Sequence, residues 1–244
     1  MILCFVLLMS CSSRQTPGAD ADAACGYDSL MTFTKNKALE VVESGFSAGE
    51  GYGEVWIRDY NTFIELSAEV FDPELLKEQL LVFFRFQGED GNIIDGFTPV
   101  EQVGELGYDY IYTDLEPRYA GHKNTVETDQ ESSLVQAVLK YVQTTGDSSI
   151  IYTIVDGISV GVRLEMALTF LMEHRFNETY GLIWGATTAD WGDVQPEHDW
   201  GVYLTEDTHY AIDIYDNAML LVAMDNYLEL VPSDREQWQP VRKK

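Results

Sequence analysis

Cysteine is nearly absent: Cys4, Cys11 and Cys25 are the only three in 244 residues, and none follows. No disulfide framework and no cysteine-built zinc site can therefore hold the later chain together. Basic residues are also few, 15 against 41 acidic ones, for a formal net charge of −26. That balance excludes binding along a nucleic-acid backbone, which needs clustered Lys and Arg, and excludes attraction to anionic lipid. The acidity is spread along the chain, which reads as a solvated surface, with an acidic cleft as the other reading. No apolar run approaches the ~20 residues that a membrane-spanning helix takes. His122, His174, His198 and His209 lack the His-Glu-x-x-His spacing of a metal site. There is no Gly-x-Ser-x-Gly elbow, no phosphate-binding Gly-Lys-Thr/Ser loop and no dinucleotide fingerprint. No cofactor and no metal are expected.

Aromatic residues are plentiful, with 14 Tyr and 5 Trp. Aromatic faces cover the apolar faces of sugar rings, although for any single aromatic a place in the core is the plainer reading. The start of the chain reads as an address. Residues Ile2 to Met9 form a short apolar run of signal-peptide length without the usual basic start. Leu8-Met9-Ser10-Cys11 is similar to a bacterial lipobox, and the small polar residues from Ser12 to Gly18 suit a tether. Cys11 is thus expected to be a lipidated mature N-terminus; a simple signal cut after Ala21-Asp22-Ala23 is the competing reading. Either way the protein is exported, as a periplasmic or outer-membrane lipoprotein or a secreted one. Membrane contact is expected only through that anchor. Residues 1–26 are assigned to signal and tether, 27–244 to the folded domain.

Apolar spacing of three and four residues marks helices over 35–46 and from Tyr60 to Phe71. Asp72-Pro73 starts another, with Asp72 as N-cap and Pro73 at the first helical position. Thr128-Asp129-Gln130-Glu131 fits a capping box opening a helix that Gly146 stops. Further helices follow over about 160–174 and 215–230. Residues 88–124 lack helical period, with a short strand expected over 108–112, and residues 177–212 are loop. A long aromatic, irregular stretch inside a domain is more often functional than idle. Paired helices separated by such loops suggest stacked α-hairpins, an all-α fold.

Three segments carry candidate chemistry. Gly181-Leu182-Ile183-Trp184 leads to Asp190-Trp191-Gly192-Asp193, where two carboxylates flank a Trp. Glycoside chemistry needs a carboxylic acid whose proton is retained by burial beside apolar surface, and Trp184 and Trp191 would supply it. The plain alternative is an Asx-turn shaping a loop. Trp56-Ile57-Arg58-Asp59 sets an aromatic, a cation and a carboxylate at a helix start, where they could fork onto sugar hydroxyls or simply form a local salt bridge. Glu127, Asp129 and Glu131 lie at another helix start, where capping and the helix dipole explain acids unaided.

Taken in order, these segments resemble the six-hairpin glycosidase superfamily, the inverting (α/α)6-barrel enzymes. Trp-Ile-Arg-Asp, Thr-Asp-Gln-Glu-Ser-Ser-Leu-Val with the later Tyr141 and Gly146-Asp147, and Gly-Leu-Ile followed by Asp-Trp-Gly-Asp carry the likeness over residues 50–230. It is closest to the glucoamylase-like, glycogen-debranching and trehalase-like branches, and Asp-Trp-Gly-Asp is similar to a motif of disaccharide phosphorylases. The resemblance implies a glycoside hydrolase acting on α-glucosides without a cofactor. Asp193 takes the general-acid position, with Asp190 as fallback. Trp56, Arg58, Asp59, Asp129, Trp184 and Trp191 would bind the sugar. The family's base is a carboxylate from a later part of the barrel, about 6.5–9.5 Å from the acid, and no residue here takes its place. Six or seven helices against about twelve for a closed toroid imply an incomplete barrel. A phosphorylase and a non-catalytic sugar-binding lipoprotein are the rivals.

Overall fold

A computed structural model describes residues 19–47, 53–104, 109–188, 194–196 and 201–242. The chain forms two compact units, residues 1–40 and 41–244. The first holds most of α1 (Ala19–Val42), which starts earlier and ends sooner than the helix expected over 35–46.

The second unit is mostly helical. A short strand, β1 (Val55–Trp56), runs directly into α2 (Ile57–Ser67). Buried Ile57, Tyr60, Ile64 and Ser67 give α2 one inward face. Pro73 opens α3 (Pro73–Arg85), as its fixed φ and missing N–H allow at that position. The Tyr60 hydroxyl donates to the Leu76 carbonyl at 2.9 Å and fastens α2 to α3.

The segment expected to be irregular contains β2 (Gly96–Pro99) and β3 (Tyr119–His122), which pair antiparallel with each other, while β2 also pairs with β1. Of the strand expected over 108–112, the described part is a single bridge from Ile111 to Gly121. This small sheet is why "all-α" becomes "mostly helical". The backbone carbonyl of Asp95, just before β2, accepts from Ile57 N at 2.9 Å, so the sheet fixes where α2 begins.

At the centre lies α4 (Gln130–Thr145), buried without a break from Gln130 to Leu139. A helix buried on every side is walled by other elements. Here α2, α3, α5 (Val160–His174) and α6 (Ile214–Leu230) all pack on it. The tight hairpin of β4 (Ile154–Val155) and β5 (Ile158–Ser159) leads into α5. Gly146, at φ 76°, adopts the left-handed turn that stops α4. Asp147 then accepts from Tyr141 at 2.9 Å and from Lys77 at 3.0 Å, tying the end of α4 to α3. Tyr141 and Asp147, part of the sequence resemblance, thus act as a structural lock. The last helix, α7 (Arg235–Arg242), lies on α6 through Trp238, which meets Tyr227 edge-on.

Between α5 and α6 the chain makes two short antiparallel pairs. β6 (Phe176–Asn177) pairs with β7 (Leu182–Ile183), and β8 (Gly185–Ala186) pairs with β9 (Tyr210–Ala211). Asn217 on α6 donates to Ile183 O and accepts from Ile183 N, both at 3.0 Å, which pins β7 against the helix. No described helix is long and apolar enough to cross a membrane.

Candidate active site

The starts of α2, α4 and α6 converge on one cluster. Arg58, second residue of α2, donates from Nε to Asp129 Oδ2 at 2.7 Å and from Nη2 to Asp129 Oδ1 at 3.2 Å. The same Nη2 lies 2.5 Å from Glu127 Oε1. The planar guanidinium fork suits this grip on two carboxylates, which a lysine could not match. From α6, the Tyr215 hydroxyl donates to Asp129 Oδ2 at 2.9 Å. The local salt bridge considered for Arg58 is therefore a long-range one, spanning 71 residues to Asp129.

The capping box expected at 128–131 does not form. Asp129 is the residue before α4 but makes no side-chain cap bond. Thr128 donates instead to the Trp184 carbonyl at 3.1 Å, and Glu131 accepts from Ile93 N and Lys123 Nζ, both at 2.9 Å. Tertiary partners, for Glu131 the charged Lys123, take these side chains from a local cap bond, which stabilises by only ~1 kcal/mol. Of the acids at this helix start, Glu127 and Asp129 line the pocket described below, whereas Glu131 is taken up by Lys123 and the Ile93 N–H.

One arginine faces several buried carboxyls, so some of them keep their protons. Burial raises Asp95 to about 7, opposed by the Arg58 charge and by its hydrogen bond with Glu127. Burial likewise holds Glu127 well above its usual range, with the nearby Asp95 adding to the effect. On α6, burial pushes Asp216 up to about 8, reinforced by the charge of Asp213 and by the hydrogen bond between them. For Arg58 itself, burial works against the charge, but Asp129 and Glu127 outweigh it and leave the guanidinium above its ordinary value. His122 lies 3.6 Å from Asp95, yet burial lowers it to about 4, so it stays neutral and lends Asp95 no charge.

A pocket of about 450 Å³ is walled by Arg58, Glu127, Asp129, Asp213, Tyr215 and Asp216, and Thr187 and Thr188 line it too. That volume falls in the range of small-molecule sites. Gly185 on β8 makes the close approach possible. A Cβ there would sit 3.1 Å from both Asp216 Oδ2 and Thr128 Oγ1, and 3.3 Å from Val126 O. A second cavity of about 690 Å³ adjoins it, and Ala211 belongs to both. Trp184 lines this neighbour, with the Arg175 guanidinium 4.6 Å from its ring centroid and Tyr210 edge-on at 4.9 Å.

Of the residues singled out in the sequence, Arg58 and Asp129 meet in the pocket and Trp184 stands next door. Trp56 is half-buried over β2, where a Cβ on Gly96 would come within 2.7 Å of its ring. Asp59 lies in the first turn of α2. Neither is among the described residues lining the two cavities. Asp190, Trp191, Asp193 and Cys11 lie outside the described residues. Sequence reasoning missed Asp95, Asp213, Tyr215 and Asp216. The signal was there: Asp213 and Asp216 repeat, at the head of α6, the acid-rich helix start of 127–131. Among the described residues no group of three or more His, Cys, Asp or Glu is arranged to hold a metal ion. No protein-family model matches the chain, and no curated protein matches it.

Proposed function

We propose that the chain is an exported glycoside hydrolase of the six-hairpin type, acting on α-glucosides with inversion and tethered through Cys11. The observation that carries this reading is the pocket built on Arg58, Glu127 and Asp129. A guanidinium already balanced by the Asp129 carboxylate and hydrogen-bonded to Glu127 is a polar wall rather than a free charge, the kind of surface that exchanges hydrogen bonds with neutral hydroxyls. Asp216, which keeps its proton near neutrality, can donate to a sugar oxygen without adding negative charge beside Asp129. Helices α2, α4 and α6 pack in succession while α3 and α5 sit against α4, an arrangement consistent with hairpins stacking toward a toroid.

Under this reading the sugar enters the pocket, Asp193 protonates the departing oxygen, and a carboxylate not assigned here activates water on the opposite face. A phosphorylase is less well supported. Phosphate needs uncompensated positive charge, and the pocket's arginine is paired twice over. The test is Asp193→Asn in parallel with Arg58→Gln. The hydrolase reading expects Asp193→Asn to abolish turnover with sugar binding intact, and Arg58→Gln to abolish binding. Saturable sugar binding by the wild type with no turnover from pH 4 to pH 9 would favour the non-catalytic sugar binder instead.

A further inference from the structure

The two adjoining cavities differ in chemistry. The pocket is charged, whereas the neighbouring groove is walled by Tyr180, Leu182, Trp184, Tyr210 and Ile212. The amide side chain in its lining, Asn177, is engaged: Oδ1 accepts from Thr179 N at 3.0 Å and from Tyr180 N at 3.2 Å, closing the β6–β7 turn. Tyr180 and Tyr210 are 69% and 60% exposed, and Leu182 is 42% exposed. Open apolar surface concentrated around a concave site marks a ligand groove. Trp184 is held in place from behind. Its backbone N–H donates to the Arg175 carbonyl at 2.8 Å, and the buried Arg175 side chain lies against its ring. The wall is therefore preformed, so little ordering opposes binding.

The groove is continuous with the pocket at Ala211, which pairs with Gly185 across the β8–β9 ladder, and Gly185 is the residue that admits Asp216. Whatever fills the groove is thus joined to whatever fills the pocket. We infer that the groove holds the leaving-group half of the substrate, and that this half is an apolar aglycone, aryl or alkyl, rather than a second sugar. The inference rests on the glycoside reading. The ring faces of a second sugar would stack on Trp184 or Tyr210, but among the described lining side chains its hydroxyls would find only the Tyr180 and Tyr210 hydroxyls, the Trp184 indole N–H and the engaged Asn177, and each unpaired one carries a cost. An aryl group would gain from burial and from edge or offset contacts with Trp184 and Tyr210.

The test uses non-hydrolysable ligands on the full chain: methyl 1-thio-α-glucoside, phenyl 1-thio-α-glucoside and a thio-linked glucosyl-glucoside, titrated by calorimetry. The phenyl compound is expected to bind about tenfold more tightly than the methyl one, the factor that one buried ring face supplies. In Tyr210→Ala and in Trp184→Ala that ratio is expected to fall to near one; Tyr210 is exposed enough that its loss spares the fold. Equal binding of methyl and phenyl compounds overturns the inference while leaving the glycoside reading standing. A gain for the disaccharide analogue equal to that for phenyl overturns the choice of an apolar aglycone. If none of the three binds, the glycoside reading itself falls, and the inference with it.

Discussion

Replacing Asp216 by asparagine is expected to remove a distinctive pH dependence of stability. In the folded protein this carboxyl titrates near pH 8, against an ordinary value of 3.8. Between those limits the native state holds a proton that the unfolded chain has released. The contribution is therefore fully present below about pH 4 and is lost as the pH rises to about 8, at ~1.4 kcal/mol per pH unit. From pH 5 to pH 7 it amounts to ~2–3 kcal/mol. Asparagine keeps an oxygen and adds an amide donor but binds no proton, so its variant follows no such slope. Asp95, also raised, contributes with the same sign to both proteins and cancels in the comparison. Wild type and Asp216→Asn would be unfolded in urea at pH 5, 6, 7 and 8. Relative to wild type, the variant is expected to gain ~2–3 kcal/mol between pH 5 and pH 7, or roughly 5–10 °C in Tm for a unit of this size. Parallel stability curves for the two proteins would refute the idea that Asp216 is buried with its proton.

Arg58→Gln leaves Glu127 and Asp129 buried without their counter-ion, and chemical denaturation is expected to show a loss of ~3–5 kcal/mol. Restoring neutrality with Arg58→Gln plus Asp129→Asn is expected to return part of that stability but no sugar affinity, as read by calorimetry. Gly185→Ala drives a methyl group against Asp216, Thr128 and Val126, for a cost of ~1–3 kcal/mol in the same denaturation assay and weaker sugar binding; an unchanged variant would mean that the strand can move aside. Tyr141→Phe removes one hydrogen bond to Asp147 and is expected to cost ~1 kcal/mol while leaving sugar affinity unchanged, which separates the structural lock from the site.

Periodicity made most helices legible. Pro73, Gly146 and Ser159 mark boundaries within a residue of where the helices begin or end, because their preferences are local. The short strands were not legible, since pairs such as Val55–Trp56 with Gly96–Phe97 are made by partners some 40 residues away. Site residues divided in the same way. Arg58 and Asp129 stood out by resemblance, but spacing alone assigned both to local roles, a salt bridge and a cap. Their pairing depends on α2 and α4 lying side by side, and no local rule encodes that. Asp95 and Asp216 were missed for the related reason that a carboxyl matters here through burial, and burial belongs to the whole fold.

The two cavities draw on different parts of the chain. Arg58, Asp129, Asp213 and Asp216 each belong to, or directly precede, a packed helix, and Glu127 stands three residues before α4, whereas Asn177, Tyr180 and Leu182 come from the β6–β7 hairpin and its turn. Substitution or lengthening of that turn leaves the helix starts where they are. On the glycoside reading, natural selection, or a library built on residues 177–182, can therefore change what the sugar is attached to while the grip on the sugar is inherited unchanged.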